Sequence, residues 1–191
     1  MVPAIIFTGV FIIVVIVGWV IFRQQRDAAW KRFATEIGAE FIEGGLFRTS
    51  KVQAHINDSA VVLDSYSVSS GDSSTTYTRI RAPFQNKDGF QFTLFRTGLV
   101  SKIDKALGAQ DIEIGDADFD RDFTIQSNNE SKVRALFASL SIRQLIQAQR
   151  SIRLRLKENE LHFEVQGIIK DLERLKSLFE LFREMLGRLE G

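Results

Sequence analysis

Between Asp111 and Asp122 the chain places six carboxylates in twelve residues: Asp111, Glu113, Asp116, Asp118, Asp120 and Asp122. Carboxylates at that density could ligate a hard cation or assist a metal-dependent hydrolysis. Asp116, Asp118 and Asp120 have the D-x-D-x-D spacing of a calcium loop. Such a loop needs glycine at its sixth position, for a sharp turn, and a bidentate glutamate at its twelfth. Those positions hold Arg121 and Ser127. A frame begun at Asp118 fails in the same two places, at Phe123 and Asn129. A strand accounts for the pattern better. Phe119, Phe123 and Ile125 share one parity, while Asp118, Asp120, Asp122, Thr124 and Gln126 share the other. The expectation is therefore a solvated strand face after a turn at Gly115, with no metal ligand assigned. A membrane-bound hydrolase using this acidic site is the alternative.

Other chemistry has less to build on. The chain has two histidines and no cysteine, which argues against a zinc site. It has no Gly-rich phosphate or dinucleotide loop and no nucleophile elbow. No catalytic or cofactor-binding residue is assigned, and no cofactor is expected. Residues 131–157 hold seven basic groups and no acid, but Phe137 is their one aromatic. A basic run without stacking side chains argues against nucleic acid as a partner. What remains is a non-enzymatic interaction or assembly domain, fit to be an accessory subunit of a membrane complex, with a protein partner.

The elements that hold these residues begin with an uncharged run from Pro3 to Phe22. Twenty residues of helix rise about 30 Å, the thickness of a bilayer's hydrocarbon core, which predicts a transmembrane helix. Arg23, Arg26, Lys31 and Arg32 follow it directly, so the positive-inside bias predicts an outside N-terminus and a cytoplasmic domain at a bacterial inner membrane. Trp19, Arg23, Arg26, Lys31 and Arg32 are the predicted membrane-interface residues, with the lipid bilayer as a partner. The division is then 1–22, a transmembrane anchor; 23–38, a juxtamembrane amphipathic helix with Trp30, Phe33, Ala34 and Ile37 on one face; and 39–191, the domain.

Within that domain, strands and turns alternate. Val52, Ala54 and Ile56 alternate up to a turn at Asn57-Asp58, which pairs Ala54 with Val61 and Val52 with Leu63. Gly71-Asp72 predicts the tip of a long polar hairpin, and Lys87-Asp88-Gly89 a further hairpin turn before Phe90, Phe92 and Leu94. A short helix is expected from Ser101, and another after Asn129. The clearest design is the hairpin at 151–166. A turn at Glu158-Asn159 sets Lys157 against Glu160, Leu156 against Leu161 and Arg153 against Glu164, so apolar meets apolar and plus meets minus. The last helix, Ile168 to Glu190, has an apolar stripe wide enough to pack on a sheet. Its heptad component leaves a homo-oligomer through the C-terminal helix as a second possibility. The fold class is α+β: an N-terminal transmembrane helix, then one domain with a mainly antiparallel sheet and a C-terminal amphipathic helix.

The segments "AWKRFATEIGAEF" and "GDADFDRDFTIQSNNESKVRALF" resemble bacterial single-span membrane-anchored proteins of unknown function. In these an acidic-aromatic "FD..F.I" strand precedes a helix. The resemblance spans most of residues 27–140 and implies a bacterial inner membrane; no activity comes with it.

Overall fold

The computed structural model describes residues 2–45, 48–57, 59–98 and 111–190, with side chains in the first helix described at positions 14, 17 and 18 and from Val20 onward. In chain order the elements are α1 (Val2–Ile37), β1 (Glu40–Ile42), β2 (Lys51–Ile56), β3 (Ser59–Ser70), β4 (Ser73–Pro83), β5 (Phe92–Arg96), α2 (Ala117–Asp122), β6 (Phe123–Ser127), α3 (Glu130–Phe137), α4 (Leu140–Gln147), β7 (Arg153–Lys157), β8 (Glu160–Gln166) and α5 (Leu172–Glu190). The strands make one antiparallel sheet in the order β1-β2-β3-β4-β8-β7-β5-β6. The α+β expectation holds in this part.

Alternation decides which side of the sheet is core. Val61 and Leu63, Ile80 and Ala82, Leu161 and Phe163, and Leu154 and Leu156 share one side and are buried. The helices cover that side. Phe33 of α1 meets Phe179 of α5 edge-on, Phe119 of α2 lies against Phe123 and Phe137, and Phe137 of α3 stands edge-on to Phe92. Ile142 and Ile146 carry α4 into the same core. Seven side chains of α5, from Leu175 to Leu186, are buried within the chain. The apolar stripe that left a homo-oligomer open is thus used internally.

The expected transmembrane helix is corrected. Among the described residues, no helix is long and apolar enough to cross a membrane. The reason lies in how α1 is used. Its stretch from Val20 to Ile37 carries Arg23, Arg26, Asp27, Lys31, Arg32 and Glu36, and is packed onto the domain. Trp30 and Phe33 have no exposed surface, and the Trp30 indole donates to the Ile169 carbonyl at 2.9 Å. The helix runs unbroken through Arg26 and Asp27 and stops at Gly38, whose φ of 67° suits glycine.

Two hairpins have the expected register. Val52 pairs with Leu63 and Ala54 with Val61; Arg153 pairs with Glu164, Leu156 with Leu161 and Lys157 with Glu160. The hairpin expected at Lys87 to Gly89 does not form. β4 and β5 are not neighbours, because β8 and β7 lie between them. The connection instead crosses the β7–β8 turn. There the Phe84 N–H donates to the Asn159 carbonyl, and the Asn86 amide donates to the carbonyls of Glu158 and Phe90. The strand expected from Asp118 starts only at Phe123, since Ala117–Asp122 is helical. The last helix begins at Leu172 rather than Ile168. Asp171 caps it by accepting from the Arg174 N–H at 2.7 Å. The helix expected from Ser101 lies outside the described residues.

Candidate interaction surface

The acidic segment is built for local structure. Asp116 caps α2 by accepting from the Phe119 N–H at 3.2 Å, and its other oxygen lies 3.1 Å from Arg143. Asp120 accepts the backbone N–H groups of Ile114, Gly115 and Asp116. Asp118 pairs with Arg121 at 2.8 Å, and Asp122 with Arg121 and Arg96. Asp116, Asp118 and Asp120, the residues of the calcium-loop spacing, each face a different partner and do not converge on one cation. Among the described residues, no group of three or more His, Asp or Glu side chains is arranged to hold a metal ion.

The predicted membrane-interface residues divide. The Arg23 guanidinium donates to the carbonyls of Gly44 and Gly45 at 2.8 and 3.0 Å. Arg26 is buried; it donates to Asp27 and Ser65 and lies over the Trp30 ring. Arg23 fastens α1 to the connection after β1, and Arg26 fastens it to β3. Lys31 is exposed, and Arg32 is exposed and bonded to Glu36. The Trp19 side chain lies outside the described residues.

The side of the sheet away from the five helices carries a connected set of polar groups. Strand pairing puts Arg79 beside Glu164, Arg81 beside His162, and His162 beside Arg155. On this lattice Asp64 takes two hydrogen bonds from Arg79, at 2.7 and 2.8 Å, and one from Arg81 at 2.8 Å. Glu164 is its centre. Arg153 and Arg155 each approach one carboxylate oxygen at 3.2 Å, and the Tyr66 hydroxyl donates to the other at 2.8 Å. His162 sits between Glu160, 3.3 Å from Nδ1, and Glu164, 3.4 Å from Nε2. The Nε2 atom is buried without a properly aligned hydrogen-bond partner. Tyr66 stacks on Tyr77 at 5.4 Å, and the Arg79 guanidinium covers its ring.

The electrostatics follow from these contacts. The His162 ring, then the Tyr66 hydroxyl and the Arg155 charge, hold the Glu164 carboxyl down at about 2, against burial, which pushes it up. Burial foremost, with the hydrogen bond to Glu164, pushes the Tyr66 phenol up to about 12. Glu164 is therefore a fixed anion and Tyr66 a fixed neutral donor. Neither suits an acid or base working near pH 7. The arrangement can hold and orient charge. Alternation in the 151–166 hairpin showed that Arg153 and Glu164 share one face. The sequence did not show that β4 and β8 are neighbours, so the lattice as a unit was missed.

No protein-family model and no curated protein matches this chain. Among solved structures, its fold is similar to the crystal structure of the mycobacterial trehalose monomycolate transport factor A, TtfA. The TM-score is 0.57 and the identity 11%, over 86% of this chain and 94% of that one. At that identity the likeness concerns the fold.

Proposed function

We propose that this chain is a non-enzymatic accessory domain that works at a bacterial inner membrane and docks a protein partner on the open face of its sheet. The observation that carries the reading is the lattice around Glu164 and Asp64. Its charges are held in place before any partner arrives, and no helix of the described residues covers them. Preordered polar groups lower the entropy lost on association, and their charge pattern selects among partners. Support for a transport context comes from the fold likeness to TtfA, described as a transport factor, which extends over nearly the whole of that chain. The exposed apolar side chains of α1, Val14, Val17, Val20, Ile21 and Phe22, agree with work at a lipid or protein boundary.

The test is isolation of the full chain, after crosslinking, from native membranes. A stoichiometric partner should be recovered with it and lost on the double charge reversal Arg155→Glu with Lys157→Glu, while circular dichroism shows the fold unchanged. Repeated recovery of the chain alone, or a partner indifferent to both reversals, would overturn the reading.

A further inference from the structure

On the open face of the sheet the charges lie at two depths. The outward positions of β3, β4, β8 and β7 carry Arg79, Arg81, Arg153, Arg155 and Lys157 against Asp64, Glu160 and Glu164. The strands beside them change that balance little: β2 adds Lys51, β1 adds Glu40, and β5 and β6 add no charge. Two of the carboxylates are the deeper groups. The side chain of Glu164 is 9% exposed, whereas those of Arg153 and Arg155, which hold it, are 25% and 34% exposed. Asp64 likewise lies beneath Arg79 and Arg81. Glu160 is the one carboxylate of the lattice left near the surface.

A partner that approaches this face meets guanidinium groups, with the anions that hold them sunk beneath. Each buried carboxylate is shared by two arginines, so N–H donors outnumber acceptors within the lattice. Lys157 is exposed and has no ion pair among the described residues. The surplus at the surface is positive charge and hydrogen-bond donors.

We infer that this face takes a mainly acidic patch of a partner protein, with carboxylates set against Arg155 and Lys157 and a donor set against Glu160. The inference rests on the docking reading above and adds the partner's chemistry. A carboxylate fits a guanidinium through two parallel hydrogen bonds, as Asp64 does with Arg79 inside the lattice. A phosphate backbone or an anionic lipid surface brings acceptors only and would set some of them against Glu160. A protein surface can place a donor there and carboxylates beside it. Single-stranded nucleic acid also calls for free aromatic faces, and the Tyr66 ring is already engaged by Tyr77 and by the Arg79 guanidinium.

The test is fluorescence anisotropy with the full chain and three labelled probes of equal length: a decapeptide of alternating glutamate and serine, one of alternating lysine and serine, and decathymidylate. The acidic peptide should bind saturably, at least tenfold more tightly than either of the others, and should weaken as salt is raised. Lys157→Glu, which breaks no ion pair of the described residues, should weaken it about threefold. Adding Arg155→Glu should bring the loss to at least tenfold. Arg188→Glu, on α5, should leave it unchanged. No saturable binding of the acidic peptide, equal or tighter binding of decathymidylate, or an equal loss in Arg188→Glu would overturn the inference. Displacement of the acidic peptide by phosphatidylglycerol vesicles would also overturn it, in favour of a lipid surface. A stoichiometric crosslinked partner recovered from native membranes without acidic-peptide binding would remove the acidic chemistry alone and leave the docking reading standing.

Discussion

The two sides of the β4–β8–β7 ribbon hold the same backbone in opposite ways. On one side Ile80, Phe163 and Leu154 are fully buried beneath helices. On the other, Arg79, Glu164 and Arg153 occupy the same three strands; Glu164 holds Arg153 and the Tyr66 hydroxyl, and Arg79 is held by Asp64 of β3. The first side is stabilised by area removed from water, about 25 cal/mol per Å². The second gains little net stability, because each charge gives up hydration to meet its partner. The ribbon thus separates apolar packing from a charged network by residue parity. Substitutions on the two sides should fail differently.

The largest effect should come from the core side. Phe163→Ala empties a fully buried site in the core and should destabilise by about 3–5 kcal/mol, measured by urea denaturation. A loss under about 1 kcal/mol would mean the helix layer does not press on the sheet as described. Glu164→Ala comes next, at about 2–3 kcal/mol, since it leaves Arg153, Arg155 and Tyr66 without their shared acceptor. The pH dependence follows with a definite sign. Glu164 titrates at about 2 when folded, below its ordinary 4.5. Its contribution is complete above about 4.5 and is lost as pH falls from there through about 2. Glu164→Gln should flatten the stability curve in that window.

Smaller effects sharpen the contrast. Arg153→Glu should destabilise by about 1 kcal/mol by placing a second carboxylate against Glu164. Adding Glu164→Arg should not restore it fully, because the new cation would face Arg155 and lose the Tyr66 hydrogen bond. Full restoration in the double mutant would reduce the lattice to independent pairs. Smallest is Asp118→Asn. Its pair with Arg121 is exposed on both sides, so the denaturation midpoint should not move measurably.

What the sequence disclosed depends on the distance over which each feature is encoded. The hairpins at Asn57 and Glu158 were legible because a two-residue turn and strict alternation fix the register locally. Both turns carry the positive φ, 52° and 57°, that such turns use. The place of β7 and β8 between β4 and β5 was not legible. Alternation says which way a side chain points, never which strand lies beside it. α2 was misread for a narrower reason. Phe119 and Phe123 are four apart, a spacing that puts two residues on one face of a helix and also of a strand. The deciding signal was Asp116, a helix cap followed by Asp118 and Asp120 in the first turn. The uncharged run before Arg23 suggested a membrane span, but its length could not show that the charged helical stretch after it would be packed against the sheet. The carboxylates of the candidate metal loop were visible; their separate partners Arg143, Arg121 and three backbone N–H groups were not.

The central claim is that the face of the sheet that no helix of the described residues covers is the recognition surface. Site-specific photo-crosslinking in native cells tests it most directly, with the crosslinking residue placed at Tyr77 on that face and, separately, at Arg183 on the exposed side of α5. Tyr77 should give one adduct of discrete mass, lost when Arg155→Glu is added, and Arg183 should give none. The same adduct from both positions, or one from Arg183 alone, would contradict the account.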